Sequence, residues 1–211
     1  MESIRELTER VPGLTSCAEH LAAAADCLEA VFRGGGTLFL CGNGGSAADC
    51  EHIVGELAKS FRRKRPLPEE LLCRLQALLP EAGEKLGALE QGLPAVAIPS
   101  MTALMTAFSN DRDPALAYAQ AVLALAKPGD ALLCLSTSGN SENIVNAAAV
   151  GKALGLSVIS LTGAKPCRLD SLSRIVIHVD ASDTARVQEL HLPAYHWLCG
   201  ELEERFFGTG Q

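Results

Sequence analysis

The sequence predicts an α/β protein: a three-layer αβα sandwich on a five-stranded parallel sheet, doubly wound, with helices at the N-terminus and one long helix at the C-terminus. Three observations carry this. Short unbroken apolar runs recur along the chain, as strands buried on both faces require. They alternate with longer segments of helical spacing, which implies right-handed crossovers and a sheet covered on both sides. The segments that follow the runs are rich in glycine and hydroxyls, and open parallel sheets bind ligands beyond the carboxyl ends of their strands.

The elements follow in order. Residues 3–33 are rich in alanine and leucine at helical spacing and are broken by Pro12-Gly13, so they predict two helices. Next come a strand at 37–41, a helix at 46–60, a strand at 95–98 and a helix at 114–126. A strand at 131–135, a helix at 142–154, strands at 157–161 and 174–179, and a final helix at 185–206 complete the sequence. Residues 99–102, 110–111 and 136–141 are read as hydroxyl- or amide-bearing loops at the ligand-binding rim. Residues 67–93 separate a helix from the next strand by far more than the usual two to six residues. The helical spacing of Leu71, Leu72, Leu75, Leu78 and Leu79 makes that stretch a helical insertion: a lid, an interface element or a surface excursion. The 211 residues are expected to form one domain.

Composition excludes several classes of function. At 48% hydrophobic and 20% charged residues the chain is globular and not disordered. A net charge of −7 argues against a nucleic-acid partner. Arg62-Arg63-Lys64-Arg65 is the local exception, and reads as a solvated helix end or an anion site. No apolar run approaches the roughly 18–20 residues of a membrane span, and the charged N-terminus is unlike a signal peptide. The eight cysteines are scattered without a Cys-x-x-Cys pair, and Cys41, Cys134 and Cys199 lie in apolar runs. Reduced thiols in a cytoplasmic protein are expected.

Two loops carry candidate chemistry. Gly42-Asn43-Gly44-Gly45-Ser46-Ala47 fits the dinucleotide fingerprint only loosely. The acidic residue that fingerprint needs about twenty positions on falls in the basic cluster. No phosphate-loop lysine follows either, so no nucleotide cofactor is expected. Ser136-Thr137-Ser138-Gly139-Asn140-Ser141 supplies hydroxyls and backbone amides just before a helix, a combination suited to a phosphate monoester. Helix capping by Ser141 is the plainer alternative, but it leaves Ser136, Thr137 and Ser138 without a role.

His52 and Glu56 lie four apart on one helix face. Gln188 and His196 lie eight apart on the last helix, about 80° off a common line, with His191 competing between them. Histidine, carboxylate, amide and histidine suit a zinc-type ion. Spacing alone equally allows ordinary exposed helix residues.

Taken together, "CGNGGSAADCEH" (41–52), "STSGNS" (136–141), "SLTG" (160–163) and "DTARVQELHLPAYH" (183–196) resemble the sugar isomerase (SIS) domain family. Within it they are most similar to bacterial phosphoheptose isomerases. The resemblance spans residues 1–206 apart from the insertion. It implies an aldose-ketose isomerase converting sedoheptulose 7-phosphate to D-glycero-D-manno-heptose 7-phosphate. It also implies that Ser46, Ser136, Thr137, Ser138 and Ser141 hold the phosphate. Asn43, Gly44, Gly45, Asp111 and Gln188 would meet the sugar. His52, Glu56, Gln188 and His196 would bind zinc, with Glu56 and His196 catalytic. A homotetramer with interfacial active sites is implied as well.

The chain departs from the family in three places. Ser60 stands where some members carry an arginine, for which Lys59, Arg62 or Arg65 could substitute. Ala185 stands where some carry an aspartate, and the insertion is extra. Moving a carbonyl from C2 to C1 needs a base and an acid working through an enediolate, and a metal on the sugar oxygens would stabilise the charge. Some relatives are non-catalytic sugar-phosphate-binding or replication-initiator-associating regulators that lack the full acid–base set. That set is intact in this chain, which favours the enzyme.

Overall fold

Each strand begins and ends within a residue of its apolar run. The computed structural model describes residues 2–208, so the ends of the expected 1–211 domain, Met1 and residues 209–211, lie outside the described residues. β1 (Leu38–Gly42), β2 (Ala95–Ala97), β3 (Ala131–Leu135), β4 (Ser157–Thr162) and β5 (Ile175–His178) form one sheet in the order β2-β1-β3-β4-β5. Every neighbouring pair is parallel. From β1 the chain passes to β2 on one side and later returns to β3 on the other. That reversal puts the topological switch point, and the crevice it opens, between the carboxyl ends of β1 and β3.

Because strand side chains alternate between faces, each run feeds two cores. Leu38, Leu40, Leu133, Leu135, Ile159, Leu161 and Ile177 pack on one face with α2 (Ala18–Arg33), α3 (Gly45–Ala58) and α8 (Thr184–Phe207). Phe39, Cys41, Leu132, Cys134 and Val158 pack on the other with α6 (Ala117–Leu125) and α7 (Glu142–Ala153). Two-sided burial is what the unbroken apolar runs predicted. Among the described residues no helix is long and apolar enough to cross a membrane. All eight cysteines are free, and Cys41, Cys134 and Cys199 are buried as expected.

The N-terminal stretch forms α1 (Ile4–Arg10), started by a capping box in which Ser3 and Glu6 satisfy each other's backbone amides, then a 3-10 turn at Pro12–Cys17 before α2. Several expectations need correction. Residues 102–111, expected to hold loop segments, are a helix, α5 (Thr102–Asp111). Its hydroxyls and amides masked the helical recurrence of Leu104, Met105 and Phe108. The helix expected at 114–126 begins as a 3-10 turn, Pro114–Leu116, because proline there supplies no backbone donor. The basic cluster is no helix end, since α3 stops at Ala58 and residues 61–63 are a bend.

The insertion is helical as read: α4 (Glu69–Leu78) and a 3-10 segment, Pro80–Ala88. Neither holds a buried residue, and Leu78 is 81% exposed. The insertion's base is tied to the end of α3. Ser60 N–H donates to Glu90 Oε2 (2.9 Å), Gln91 N–H to the Arg65 carbonyl (2.8 Å) and Leu93 N–H to the Leu57 carbonyl (2.9 Å).

Candidate active site

The two loops singled out in the sequence meet at the switch point. β1 runs into Gly42-Asn43-Gly44, where Gly44 has φ 54°, a left-handed conformation that side chains other than glycine's resist. α3 then starts at Gly45, with Ser46 buried in its first turn. β3 runs into Ser136–Ser141, with Gly139 at φ 64°. The Asn43 and Asn143 amides exchange two hydrogen bonds of 2.9 Å and clamp the loops together.

Ser141 is the N-cap residue of α7, yet its side chain makes no capping bond. The capping alternative therefore does not consume its hydroxyl, which instead accepts a long 3.4 Å contact from Ser136 Oγ. Ser136 Oγ accepts from Gly139 N–H (3.1 Å) and Ser138 Oγ from Asn140 N–H (3.2 Å), bonds that hold the turn open. A cleft of about 210 Å³ opens beside it, lined by Thr137, Ser138, Asn140, Gly163, Lys165 and Ser182. Lys165 was not legible as a neighbour of this loop, since it follows a different strand. With the positive end of α7, the arrangement suits an anion.

α3 and α8 lie side by side and run in the same direction. The Gln188 amide presses on Gly45, where a Cβ would come within 2.6 Å of Nε2. Seven residues on, His52 Nε2 stands 3.2 Å from Glu56 Oε1 and 3.4 Å from His196 Nε2. Tyr195, fully buried, places its hydroxyl 3.0 Å from both Asp49 Oδ1 and His52 Nδ1. His196 is held edge-on to the rings of His52 and Tyr195, with Phe61 tilted against it. Burial, and then the neighbouring His52, lower the pKa of His196. Sequence reasoning missed Asp49 and Tyr195, although Asp49 is three residues from His52 on one face and Tyr195 adjoins His196.

A zinc ion has bonds of about 2.0–2.1 Å, so its tetrahedral donors stand roughly 3.4 Å apart. The two His52 contacts match that spacing, and imidazole, carboxylate and imidazole are the right donor types. Among the described residues no group of three or more His, Cys, Asp or Glu side chains is already arranged to hold a metal ion. Gln188 remains against Gly45. The donors fit the ion chemically and in pairs.

Other candidates stand apart. Asp111 is exposed at the end of α5, its carboxylate accepting a hydrogen bond from Asn110. His191 faces the core with no exposed surface, which removes it as a competitor for the site. Arg65 cannot replace the arginine that Ser60 lacks. Its buried guanidinium donates to Glu203 Oε1 (2.9 Å) and to the carbonyls of Leu57 (2.7 Å) and Glu56 (3.0 Å). Lys59 Nζ reaches within 3.9 Å of Glu56 Oε2, and Arg62 lines a cleft with His196. Another cleft, about 580 Å³, lies at the amino ends of the strands beside Gly34, Gly129, Ser157 and Arg174 and holds none of these groups. The surface along α3 is the better site, because the loop hydroxyls lie at its start and the histidine and carboxylate donors lie further along it.

Comparison with known proteins agrees with this fold. The SIS domain family profile matches residues 1–91 and 76–163. The chain is 34% identical to the phosphoheptose isomerase of Rhodospirillum rubrum over 90% of its own length and 88% of the relative's. It is 35% identical to that of Trichlorobacter lovleyi over 89% and 83%. Among solved structures, a phosphoheptose isomerase from Francisella tularensis superposes with a TM-score of 0.76 at 27% identity, covering 92% of this chain and 91% of that one. The chain belongs to the SIS domain family, and within that family it is similar to the phosphoheptose isomerases.

Proposed function

We propose that the protein is an aldose-ketose isomerase of a phosphorylated sugar, with sedoheptulose 7-phosphate and D-glycero-D-manno-heptose 7-phosphate as its substrate pair. One observation carries the reading: the hydroxyl-bearing loops meet at the start of α3, and His52 and Glu56 stand further along the same helix beside His196. From Ser46 to His52 the axis of α3 advances about 9 Å at 1.5 Å per residue. That separation suits an open-chain seven-carbon sugar with phosphate at one end and its reacting carbons at the other.

In this reading Ser46, Ser136, Thr137, Ser138 and Ser141 grip the phosphate, and Asn43, Gly44, Gly45 and Gln188 line the sugar. Asp111 would reach the sugar of a neighbouring subunit in a homotetramer. Glu56 removes the proton from the carbon beside the carbonyl and returns it to the adjacent carbon, while His196 exchanges the oxygen-bound proton. His52, Glu56, Gln188 and His196 would hold zinc, which would supply charge stabilisation to the enediolate oxygens, with ligation and proton transfer by Glu56 each dominating at a different stage. A regulator that only bound the sugar would have no use for the acid–base pair. The test is a panel of sugar phosphates, with and without added zinc, on wild type and Glu56→Gln. Turnover should require the phosphate and should fall by about 10² or more in the variant. Wild type inert on every sugar phosphate defeats the reading. Near-normal turnover in Glu56→Gln removes that residue from the mechanism.

A further inference from the structure

Tyr195 has one hydroxyl proton and two neighbours at 3.0 Å, Asp49 Oδ1 and His52 Nδ1. An ionised carboxylate can only accept, so the proton goes to Asp49 and the phenol oxygen accepts from His52 Nδ1–H. A neutral histidine with its proton on Nδ1 has a bare Nε2. That atom is the one 3.2 Å from Glu56 Oε1 and 3.4 Å from His196 Nε2. At that spacing a bare Nε2, a carboxylate oxygen and a second imidazole nitrogen can share one cation.

We propose that Asp49 and Tyr195 are positioning residues that fix His52 as the Nδ1–H tautomer and aim its bare Nε2 at a divalent cation shared with Glu56 and His196. The inference deepens the metal assignment proposed above and rests on it. The geometry supports this arrangement. Tyr195 is almost wholly buried between α3 and α8, and its ring meets His52 edge-on at 5.5 Å, so the imidazole cannot rotate freely.

The test uses the full-length, metal-free protein, with ¹⁵N imidazole spectra at about pH 8, where an ordinary histidine is neutral. The His52 signals are assigned by their absence in His52→Gln. Zinc alone is then titrated in competition with a chromophoric chelator. Wild-type His52 should carry its proton on Nδ1. Tyr195→Phe keeps the ring and the packing, and should admit the second tautomer and weaken zinc binding by about 10- to 100-fold. Asp49→Asn, whose amide can accept or donate, should fall between the two. A proton on Nε2 in wild type overturns the proposal. So does Tyr195→Phe with a lower urea midpoint but unchanged tautomer and zinc affinity, the signature of a purely structural bond. Failure of wild type to take up zinc defeats the metal reading separately, and the tautomer spectra then decide whether Asp49 and Tyr195 position His52.

Discussion

Replacing His191 by leucine should make the protein less sensitive to acid and no less stable at neutral pH. The ring has no exposed surface, and neither nitrogen has a hydrogen-bond partner. The Thr162 backbone approaches it without completing a bond of normal geometry. Burial lowers its pKa from 6.5 to about 4. Below pH 6.5 the unfolded chain therefore takes up a proton that the folded protein refuses until about pH 4. Stability is intact above 6.5 and falls across that interval. At about 1.4 kcal/mol per pH unit, the loss by pH 4 is about 3 kcal/mol. At neutral pH, removing the unsatisfied nitrogens should be neutral or stabilising by about 1–3 kcal/mol. Urea midpoints of wild type and His191→Leu, measured from about pH 8 to about pH 4, test this. The difference between the two cancels the carboxylates and His196, which both proteins share. A difference that does not vary with pH refutes the reasoning, as does a variant clearly weaker than wild type at neutral pH.

Glu203→Gln should cost about 3–5 kcal/mol in chemical denaturation, because it leaves the fully buried Arg65 guanidinium without its counter-charge. A loss below about 1 kcal/mol would mean that the carbonyls of Leu57 and Glu56 suffice alone. Gly139→Ala combines a positive φ with a Cβ that would overlap the Cys167 sulfur. It should disturb the phosphate loop and weaken sugar-phosphate binding in calorimetry by at least about tenfold, while unaltered affinity would show that the loop does not read the phosphate. Ser138→Ala with Ser141→Ala should weaken the phosphorylated sugar by about tenfold to a hundredfold per lost bond. Its affinity for the unphosphorylated sugar should barely change, and equal weakening of both ligands would make the loop a structural turn.

Local physics was legible in the chain. Leu38–Cys41 and Ala131–Leu135 announced two-sided burial because strand periodicity is a property of neighbouring residues. The glycines and hydroxyls of 42–46 and 136–141 announced tight turns because φ preference and hydrogen-bonding capacity belong to single side chains. α5 escaped notice because its hydroxyls imitate a loop locally. The tertiary structure decided what lay far apart in sequence. Arg65 looked like part of a solvated basic run, and only Glu203, 138 residues later, turns it into a buried ion pair. His191 and His196 looked interchangeable, yet they point to opposite sides of α8, one into the core and one towards His52. The Asp49–Tyr195–His52 relay likewise exists only because α3 and α8 lie together, across 143 to 146 residues of chain. Hydrogen bonds and ion pairs act over a few ångströms of space, so sequence distance carries no record of them until the packing of the helices on the sheet brings the partners together.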